Sequence, residues 1–536
     1  MAERTEADRP TRETDARPTV TIPTTDTDAA PIPSASLPEH GEGRGAQTFA
    51  GLAHLTEPPE TLCSERSLLA AIDALAENAA RSASGQATAA TAAEALRDRV
   101  VALLASRLAE GRARVDAALL ASPAAGLRVA RAYSHVTDVI VSAAAHFCMT
   151  HLHPAPVRTR AEQLAVVAVG GYGRGEMAPY SDVDLLFLTP WKRTAWAESV
   201  VESTLYILWD LKLKLGQATR SVDDCLRLAG QDITIRTNLL EKRFIHGDRA
   251  PFDTLDQRLW DELFLRTGPA FVEAKLEERD RRHARHGGSR YLLEPNVKEG
   301  KGGLRDLQTL HWISRYLYRT RTAWQLCDLG VFEREEVSRF AQAAKFLWAV
   351  RHHLHDLAGR ATETLSFDRQ VEIARRLGYV DGNGRMAVEH FMHTYFRHAK
   401  DVGDLARIFS AALEAKHAKP PPRFSMLLRA LSLKGGDAAH PGLFAVRDGR
   451  LTVADPGILA AEPINILRLF HEAARTDARI HPAAMRVVIQ NLGLIDTALR
   501  QDPEANRLFR EMLTDRQHVA WLLRLMNETG VLGRFV

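Results

Sequence analysis

The chain has 536 residues, of which 45% are hydrophobic and 26% charged, and its formal net charge is +3. This length exceeds what one hydrophobic core usually organises, so we expect two to four domains, and the small net charge gives no reason to expect nonspecific binding to nucleic acid or to a membrane. No run reaches the ~18 apolar residues of a membrane span, and four scattered cysteines argue against a disulfide scaffold, which together predict a cytoplasmic protein.

The first 157 residues divide into two regions. Residues 1–60 are rich in Thr, Pro, Ala, Glu and Asp, a composition that cannot bury enough apolar surface to offset the entropy of ordering, so a disordered tail is predicted. In residues 61–157, apolar side chains such as Leu96, Val100, Leu104 and Leu108 recur at helical spacing. This region is predicted to be a helical segment.

Strands first appear in residues 158–290. A short apolar run from Leu164 ends at two glycines, as a buried strand entering a turn does, and a second strand is predicted from Val183 to Leu188. A helix is predicted from Ala195 to Trp209, and the alternation of Asp210 to Leu215 predicts a further strand. Strands that alternate with helices indicate an α/β core for this region.

The remainder is predicted to be mostly helical. Residues 291–419 form one helical domain, and residues 420–536 begin with a proline-rich linker. The segment from Leu443 to Val453 then resembles a hairpin around the Asp448-Gly449 pair, followed by further helices. The whole chain is therefore predicted to be of the α+β class and predominantly helical.

Two carboxylates at the start of the second strand carry the strongest chemical signal. Because side chains alternate along a strand, Asp182 and Asp184 are expected on one face, with Val183 and Leu185 facing the core. Two like charges this close raise each other's pKa unless a cation neutralises them, and Mg²⁺ is commonly held by one or two carboxylates together with substrate phosphates. The pair therefore predicts a Mg²⁺ site, with Mn²⁺ as a possible substitute.

A glycine-rich segment precedes the two acids. Glycines after a strand let the backbone approach a phosphate chain, so Gly170 and Gly171 suit a triphosphate. A P-loop is excluded because no Gly-Lys-Ser/Thr follows, and the dinucleotide fingerprint does not open a long helix. Glycines beside metal-binding carboxylates indicate nucleotidyl transfer, in which two metal ions assist an in-line displacement.

These motifs resemble the bacterial PII uridylyltransferase/uridylyl-removing enzymes, the GlnD family of nitrogen regulation. The first anchor is Gly-Gly-Tyr-Gly-Arg-Gly-Glu at 170–176 with Ser-Asp-Val-Asp-Leu-Leu at 181–186. The second is Leu-Glu-Pro-Asn-Val-Lys-Glu-Gly-Lys-Gly-Gly-Leu-Arg-Asp-Leu-Gln at 293–308. The resemblance extends from about residue 68 to residue 536.

The resemblance implies a polymerase-beta-like nucleotidyltransferase domain that transfers UMP from UTP to a tyrosine of the PII signal protein. Asp182 and Asp184 would hold the catalytic metals, and Gly170, Gly171, Arg174 and Ser181 would shape the UTP site. Family members continue into an HD domain, which removes the uridylyl group, and paired ACT domains, which sense glutamine. The chain stops near where the HD domain should begin, so neither function is expected in it.

Related nucleotidyltransferases use a third carboxylate. Asp210 is the preferred candidate because its alternation resembles a motif of the glutamine synthetase adenylyltransferases; the exposed end of a helix is the alternative explanation. Asp223, Asp232 and Glu241 are rival candidates.

The loop from Lys298 to Asp306 combines glycines with positive charge. Lys298, Lys301 and Arg305 could donate to the phosphates of UTP. The loop could instead be a turn and helix cap that joins two domains. His352, His353 and His355 are interpreted as structural residues of an amphipathic helix rather than as metal ligands.

Two other functions remain open at this stage. The chain could be an adenylyltransferase that acts on glutamine synthetase, although residues 294–298 argue against it. It could also be a noncatalytic module that binds PII and reports its state.

Overall fold

The computed structural model describes residues 55–82, 89–155, 159–320, 322–417, 443–447, 450–455 and 457–536. The predicted tail lies almost wholly outside these residues, as do the proline-rich linker and the turn at Asp448-Gly449. None of the described helices is both long and apolar enough to cross a membrane.

The first region is helical, as predicted. Its helices are α1 (Pro59–Leu62), α2 (Glu65–Ser82), α3 (Ala89–Ala121) and α4 (Gly126–Phe147). A π-helical turn, Cys148–Leu152, continues α4. The helical periodicity of α3 has a packing cause, because Val100, Leu104 and Leu108 are buried in the core between these helices.

A four-stranded mixed sheet follows, in the order β3-β2-β1-β4. The elements of this region are β1 (Ala165–Ala168), α5 (Gly170–Gly173), β2 (Val183–Thr189), α6 (Ala195–Asp210), β3 (Leu215–Ser221), α7 (Val222–Gln231), α8 (Ile233–Leu240), β4 (Arg243–Gly247) and α9 (Arg249–Arg258). β1 pairs with β2 and β4 in antiparallel fashion, whereas β2 and β3 are parallel. The strands predicted near Leu164 and Val183 and the helix after Ala195 are confirmed.

The strand predicted from Asp210 to Leu215 is wrong. Asp210 is the last residue of α6, and β3 begins only at Leu215. Lys212 adopts a left-handed φ of 59°, and the turn around it sends both Leu211 and Leu213 into the core. A turn of this kind produces the same apolar–polar alternation as a strand.

The two faces of the sheet pack against different halves of the chain. Val183, Leu185 and Phe187 contribute to the core shared with α2, α3 and α4. Leu186 and Leu188 belong to the core that includes the helices after residue 290. Because side chains alternate along a strand, Asp184 projects on the side of Leu186, toward the second half of the chain.

The second half is mainly helical. It contains α10 (Gly268–Arg285), α11 (Leu304–Tyr318), α12 (Trp324–Asp328), α13 (Arg334–Ala358), α14 (Phe367–Arg376) and α15 (Ala387–His417). The chain is thus α+β and predominantly helical, as predicted.

The last region has its own hydrophobic core. A hairpin of β5 (Phe444–Arg447) and β6 (Arg450–Val453) confirms the predicted strands and precedes α16 (Ile458–Ala461), α17 (Asn465–Arg475), α18 (Pro482–Gln490), α19 (Thr497–Gln501), α20 (Pro503–Thr514), α21 (Val519–Thr529) and α22 (Leu532–Phe535). Arg486 Nε of α18 donates to Glu336 Oε1 of α13 at 3.1 Å, which ties this region to the helices before it.

Candidate active site

The backbone around Asp184 is held on both sides by the sheet. Val169 N, at the end of β1, donates to Asp184 O at 3.0 Å. On the other side Val183 N donates to Lys214 O at 2.8 Å, and Asp184 lies opposite Gly216 of β3. Asp182 comes directly before the strand and is exposed. The hydrogen bonds at the start of β2 therefore fix the backbone positions of Asp182 and Asp184.

Two glycines leave space for the carboxylate of Asp184. A β-carbon on Gly216 would lie 2.2 Å from Asp184 Oδ1, closer than any side chain tolerates, and one on Gly170 would lie 3.2 Å from Oδ2. Gly170 also has a φ of +59°, which glycine adopts without steric cost. A β-carbon on Gly170 would also lie 3.4 Å from Asn238 Oδ1 of α8. The carboxylate therefore sits in a pocket whose walls are backbone.

The electrostatics of the pair suit a divalent cation. Burial raises the pKa of Asp184, the negative charge of Asp182 raises it further, and the positive charge of Lys298 opposes both. A bound cation would remove the repulsion between the carboxylates. Two carboxylates, which offer only oxygen donors, fit a hard ion such as Mg²⁺. Such an ion, when bound, supplies Lewis-acid stabilisation of phosphate oxygens.

The glycine segment forms α5, a single helical turn that begins directly after β1. The first amide groups of a helix have no partner inside it, so Gly170 and Gly171 present N–H groups at this turn. A β-carbon on Gly173 would lie 2.4 Å from Glu241 O, so α5 packs against backbone there. Ser181 Oγ accepts a hydrogen bond from Ala178 N at 3.0 Å and closes the turn before Asp182.

Arg174 is buried rather than open to a ligand. Its Nε donates to Glu176 Oε2 at 2.7 Å, and its Nη1 bonds to Glu241 of the segment between α8 and β4. Arg174 thus ties the glycine turn to the segment between α8 and β4. Any effect it has on a nucleotide acts through the position of that turn.

The four candidates for a third carboxylate all have other partners. Asp210 pairs with Arg97 of α3, and Asp223 Oδ1 accepts from Arg258 Nη1 at 2.6 Å. Asp232 caps α8 by accepting from Ile235 N at 3.0 Å. Glu241 is buried against Arg174. Asp210, the preferred candidate, is the last residue of α6, and the partner that the structure gives it is Arg97.

The Lys298–Asp306 loop is held rigidly. Asn296 Oδ1 accepts from the amides of Lys298 and Glu299 at 3.0 and 2.7 Å. Gly302 has a φ of +83°, and a β-carbon on it would lie 2.2 Å from Ala399 O. The buried carboxylate of Asp306 accepts from Gly302 N at 2.8 Å and also binds Arg282 and His283.

The three basic residues of this loop differ in their relation to Asp184. Lys298 is close enough to Asp184 to influence its pKa. Arg305 instead donates to Glu299 Oε1 at 3.1 Å, and its guanidinium lies 5.5 Å from the centroid of the Trp312 ring. Lys301 lies half-buried between Gly300 and Gly302. Of the three basic residues, Lys298 is the one whose charge lowers the pKa of Asp184, and its Nζ also lies 3.9 Å from Glu299 Oε1.

Sequence reasoning missed a group next to Lys298. His355 Nε2 of α13 lies 3.5 Å from Glu363 Oε1, and its ring lies 6.2 Å from that of Tyr180. Burial tends to raise the pKa of Glu363, but the nearby His355 and the hydrogen-bonded guanidinium of Arg351 lower it to about 2. His355 is buried, in agreement with the structural interpretation. No local motif marks Glu363, because its position depends on the pairing of Asn296 with Thr364.

Comparison with known proteins agrees with this geometry. Residues 156–245 match the nucleotidyltransferase domain family, residues 270–410 match the family described as GlnD PII-uridylyltransferase, and residues 444–535 match the uridylyltransferase GlnD third domain. The chain belongs to the GlnD PII-uridylyltransferase family.

Two curated relatives show the extent of the similarity. The bifunctional uridylyltransferase/uridylyl-removing enzyme of Cereibacter sphaeroides is 53% identical over 406 residues, which cover 76% of this chain and 43% of the relative. The protein of the same description from Ruegeria pomeroyi is 52% identical over 443 residues, covering 82% of this chain and 48% of the relative. The chain thus matches less than half the length of each relative.

Proposed function

We propose that this GlnD-family chain transfers UMP from UTP to a tyrosine hydroxyl of a PII signal protein and releases pyrophosphate. The observation that supports the proposal is that the Asp184 carboxylate lies beside Gly170 of the glycine turn, close enough to Asp182 and Lys298 for their charges to shift its pKa. The choice of UTP rests on the curated relatives, which are described as uridylyltransferases, and the choice of PII rests on the family described as GlnD PII-uridylyltransferase.

The residues of the chain have separable roles in this reaction. The tyrosine oxygen attacks the α-phosphorus of UTP, the bond to the pyrophosphate oxygen breaks, and the phenolic proton passes to solvent. Asp182 and Asp184 would hold Mg²⁺, or Mn²⁺ in its place, beside the triphosphate. Lys298 carries positive charge on the side where negative charge accumulates on the leaving pyrophosphate. The backbone at Gly170 and Gly171 leaves room for the phosphates.

The proposal places the reaction in the cytoplasm. All four cysteines are free, and three of them are buried, which suits a reducing compartment. Lys301 and Arg305 are proposed to contribute positive charge at the rim of the site rather than direct contacts with the reacting phosphate.

Labelled nucleotides test the function directly. The chain is incubated with Mg²⁺, with either UTP or ATP labelled at the α-phosphate, and with either PII or glutamine synthetase as the acceptor. Label from UTP on PII, absent with Asp184→Asn, is the expected result. Label from ATP on glutamine synthetase would instead identify an adenylyltransferase, and binding of PII without any transfer would identify a noncatalytic module. Either of these results would overturn the proposal.

A further inference from the structure

A second cluster of potential metal ligands lies in the amino-terminal helices. Asp73 of α2 faces His146 of α4 and His151 of the π-helical turn. Asp73 Oδ1 lies 2.9 Å from His146 Nε2 and 2.7 Å from His151 Nε2. All three ligand atoms lie within 4.8 Å of one another. Among the residues that the structure describes, this is the one group of three such side chains with that spacing.

The π-helical turn is what brings the two histidines together. On a regular α-helix, side chains five residues apart point about 140° away from each other. Here His153 N donates to Cys148 O at 2.9 Å, five residues back, and this wider turn lets His151 face the same way as His146. Their rings pack edge to face with centroids 5.8 Å apart. Single π turns inside helices are frequently found at functional sites.

The geometry is close to that of a metal site. Ligand atoms about 2.0–2.1 Å from a tetrahedral ion stand roughly 3.3 Å apart, so the present contacts would open by about 0.5 Å to admit one. Both imidazole Nε2 atoms are hydrogen-bonded to the same carboxylate oxygen, so the three donor atoms are already gathered around one point. The Asp73 side chain is 44% exposed and the histidines 19% and 20%, so an ion can enter from solvent.

Polar groups surround the three ligands. Ser142 Oγ, one turn before His146, donates to Glu65 Oε1 at 2.5 Å and lies 2.9 Å from His246 Nδ1. The ring of His246 stands perpendicular to that of His146, with centroids 5.8 Å apart. Glu65 adds negative charge beside the cluster, and His246 extends the polar environment to β4. Supporting groups of this kind orient metal ligands and raise their affinity.

We propose that Asp73, His146 and His151 bind one divalent transition-metal ion of the zinc class. Two imidazole nitrogens and one carboxylate oxygen suit Zn²⁺ or Co²⁺ better than Mg²⁺, which prefers oxygen ligands throughout. The ion ties α2 to the end of α4 and leaves at least one coordination position for water. This site is separate from the carboxylate pair of β2 and does not depend on the proposed transferase function.

Cobalt provides a spectroscopic test. The full chain, without a histidine tag and carrying Asp182→Asn and Asp184→Asn to remove the other candidate metal site, is titrated with Co²⁺. We expect visible ligand-field absorption that saturates at one equivalent, and its loss when Zn²⁺ is added. His151→Gln and His146→Gln should abolish the signal, whereas the matched control His393→Gln, at an exposed position of α15, should retain it.

The thermal stability of the chain with and without Zn²⁺ is a second test, and circular dichroism identifies variants that fail to fold. Zn²⁺ should raise the Tm of the wild-type chain but not that of Asp73→Asn, which keeps the shape of the side chain. Far-ultraviolet circular dichroism establishes that each variant is folded. The proposal is overturned if Co²⁺ gives no visible band beyond that of the same Co²⁺ in buffer, if the protein-dependent band survives His151→Gln, or if Zn²⁺ stabilises wild type and Asp73→Asn equally.

Discussion

Gly216 lies opposite Asp184 on the neighbouring parallel strand, so closely that a β-carbon on Gly216 would come within 2.2 Å of Asp184 Oδ1. The carboxylate therefore occupies the space that any other residue at position 216 would fill. The glycine of β3 and the acid of β2 are 32 residues apart in the chain, and only the register of the two strands makes them one structural unit.

Substitution of Gly216 tests this relationship. Gly216→Ala should displace the Asp184 carboxylate and lower the rate of uridylyl transfer by about 100-fold, because a shift of about 1 Å in a catalytic group can cost that much. The measurement is initial rate with labelled UTP. Gly230→Ala is the matched control, since a β-carbon at Gly230 meets nothing within 4 Å. Equal rates for the two variants would contradict the prediction.

The two predicted metal ligands should respond differently from Asp210. Asp184→Asn or Asp182→Asn should lower transfer by on the order of 100-fold or more while the Tm stays near that of wild type, because the amide keeps the shape and loses the charge. Asp210→Asn should leave transfer within about twofold of wild type, since it breaks only an exposed pair with Arg97. Strong loss of activity in Asp210→Asn would restore it as a catalytic candidate.

Lys298 should influence both nucleotide binding and the acid limb of the pH profile. Lys298→Ala should raise KM for UTP by about tenfold, the effect of losing one charge-assisted hydrogen bond. The Lys298 charge lowers the pKa of Asp184, so its removal raises that pKa. Asp184 then protonates at higher pH, and the acid limb of kcat/KM should move upward.

An exposed lysine provides the control for Lys298. Lys192 follows the far end of β2, on the order of 17 Å along the strand from Asp184. Lys192→Ala should change neither KM nor the acid limb. A Lys298→Ala profile that overlays the wild-type profile would remove Lys298 from the site.

The buried pair of Arg174 and Glu241 should contribute to stability. Glu241→Gln leaves Arg174 with only Glu176 as a charged partner, and we expect a loss of about 2–3 kcal/mol because a buried charge loses part of its compensation. Urea unfolding followed by tryptophan fluorescence measures the change. Glu372→Gln, which breaks an exposed pair on α14, should leave the midpoint essentially unchanged. Similar midpoints for both variants would contradict a structural role for the Arg174–Glu241 pair.

Local signals were sufficient for several parts of the fold. The segments before Gly170 and after Asp182 are short and mostly apolar because both faces of β1 and β2 are buried, and both strands lie where the sequence predicts them. The same reasoning failed after α6, because a left-handed turn at Lys212 buries alternate leucines just as a strand does. The spacing of apolar residues shows which side chains are buried. It does not distinguish a strand from a turn that buries the same side chains.

The amino-acid sequence by itself determined the class of the fold, the family and the pair of acids, because strand alternation and short motifs are local properties. Only the tertiary structure decided that Asp210 pairs with Arg97, that Arg174 pairs with Glu241, and that Gly216 lies against Asp184. It also brought Asp73 to His146 and His151 across two helices. Each of these relationships joins residues distant in the chain, and their distances are set by strand register and helix packing, which no local pattern specifies.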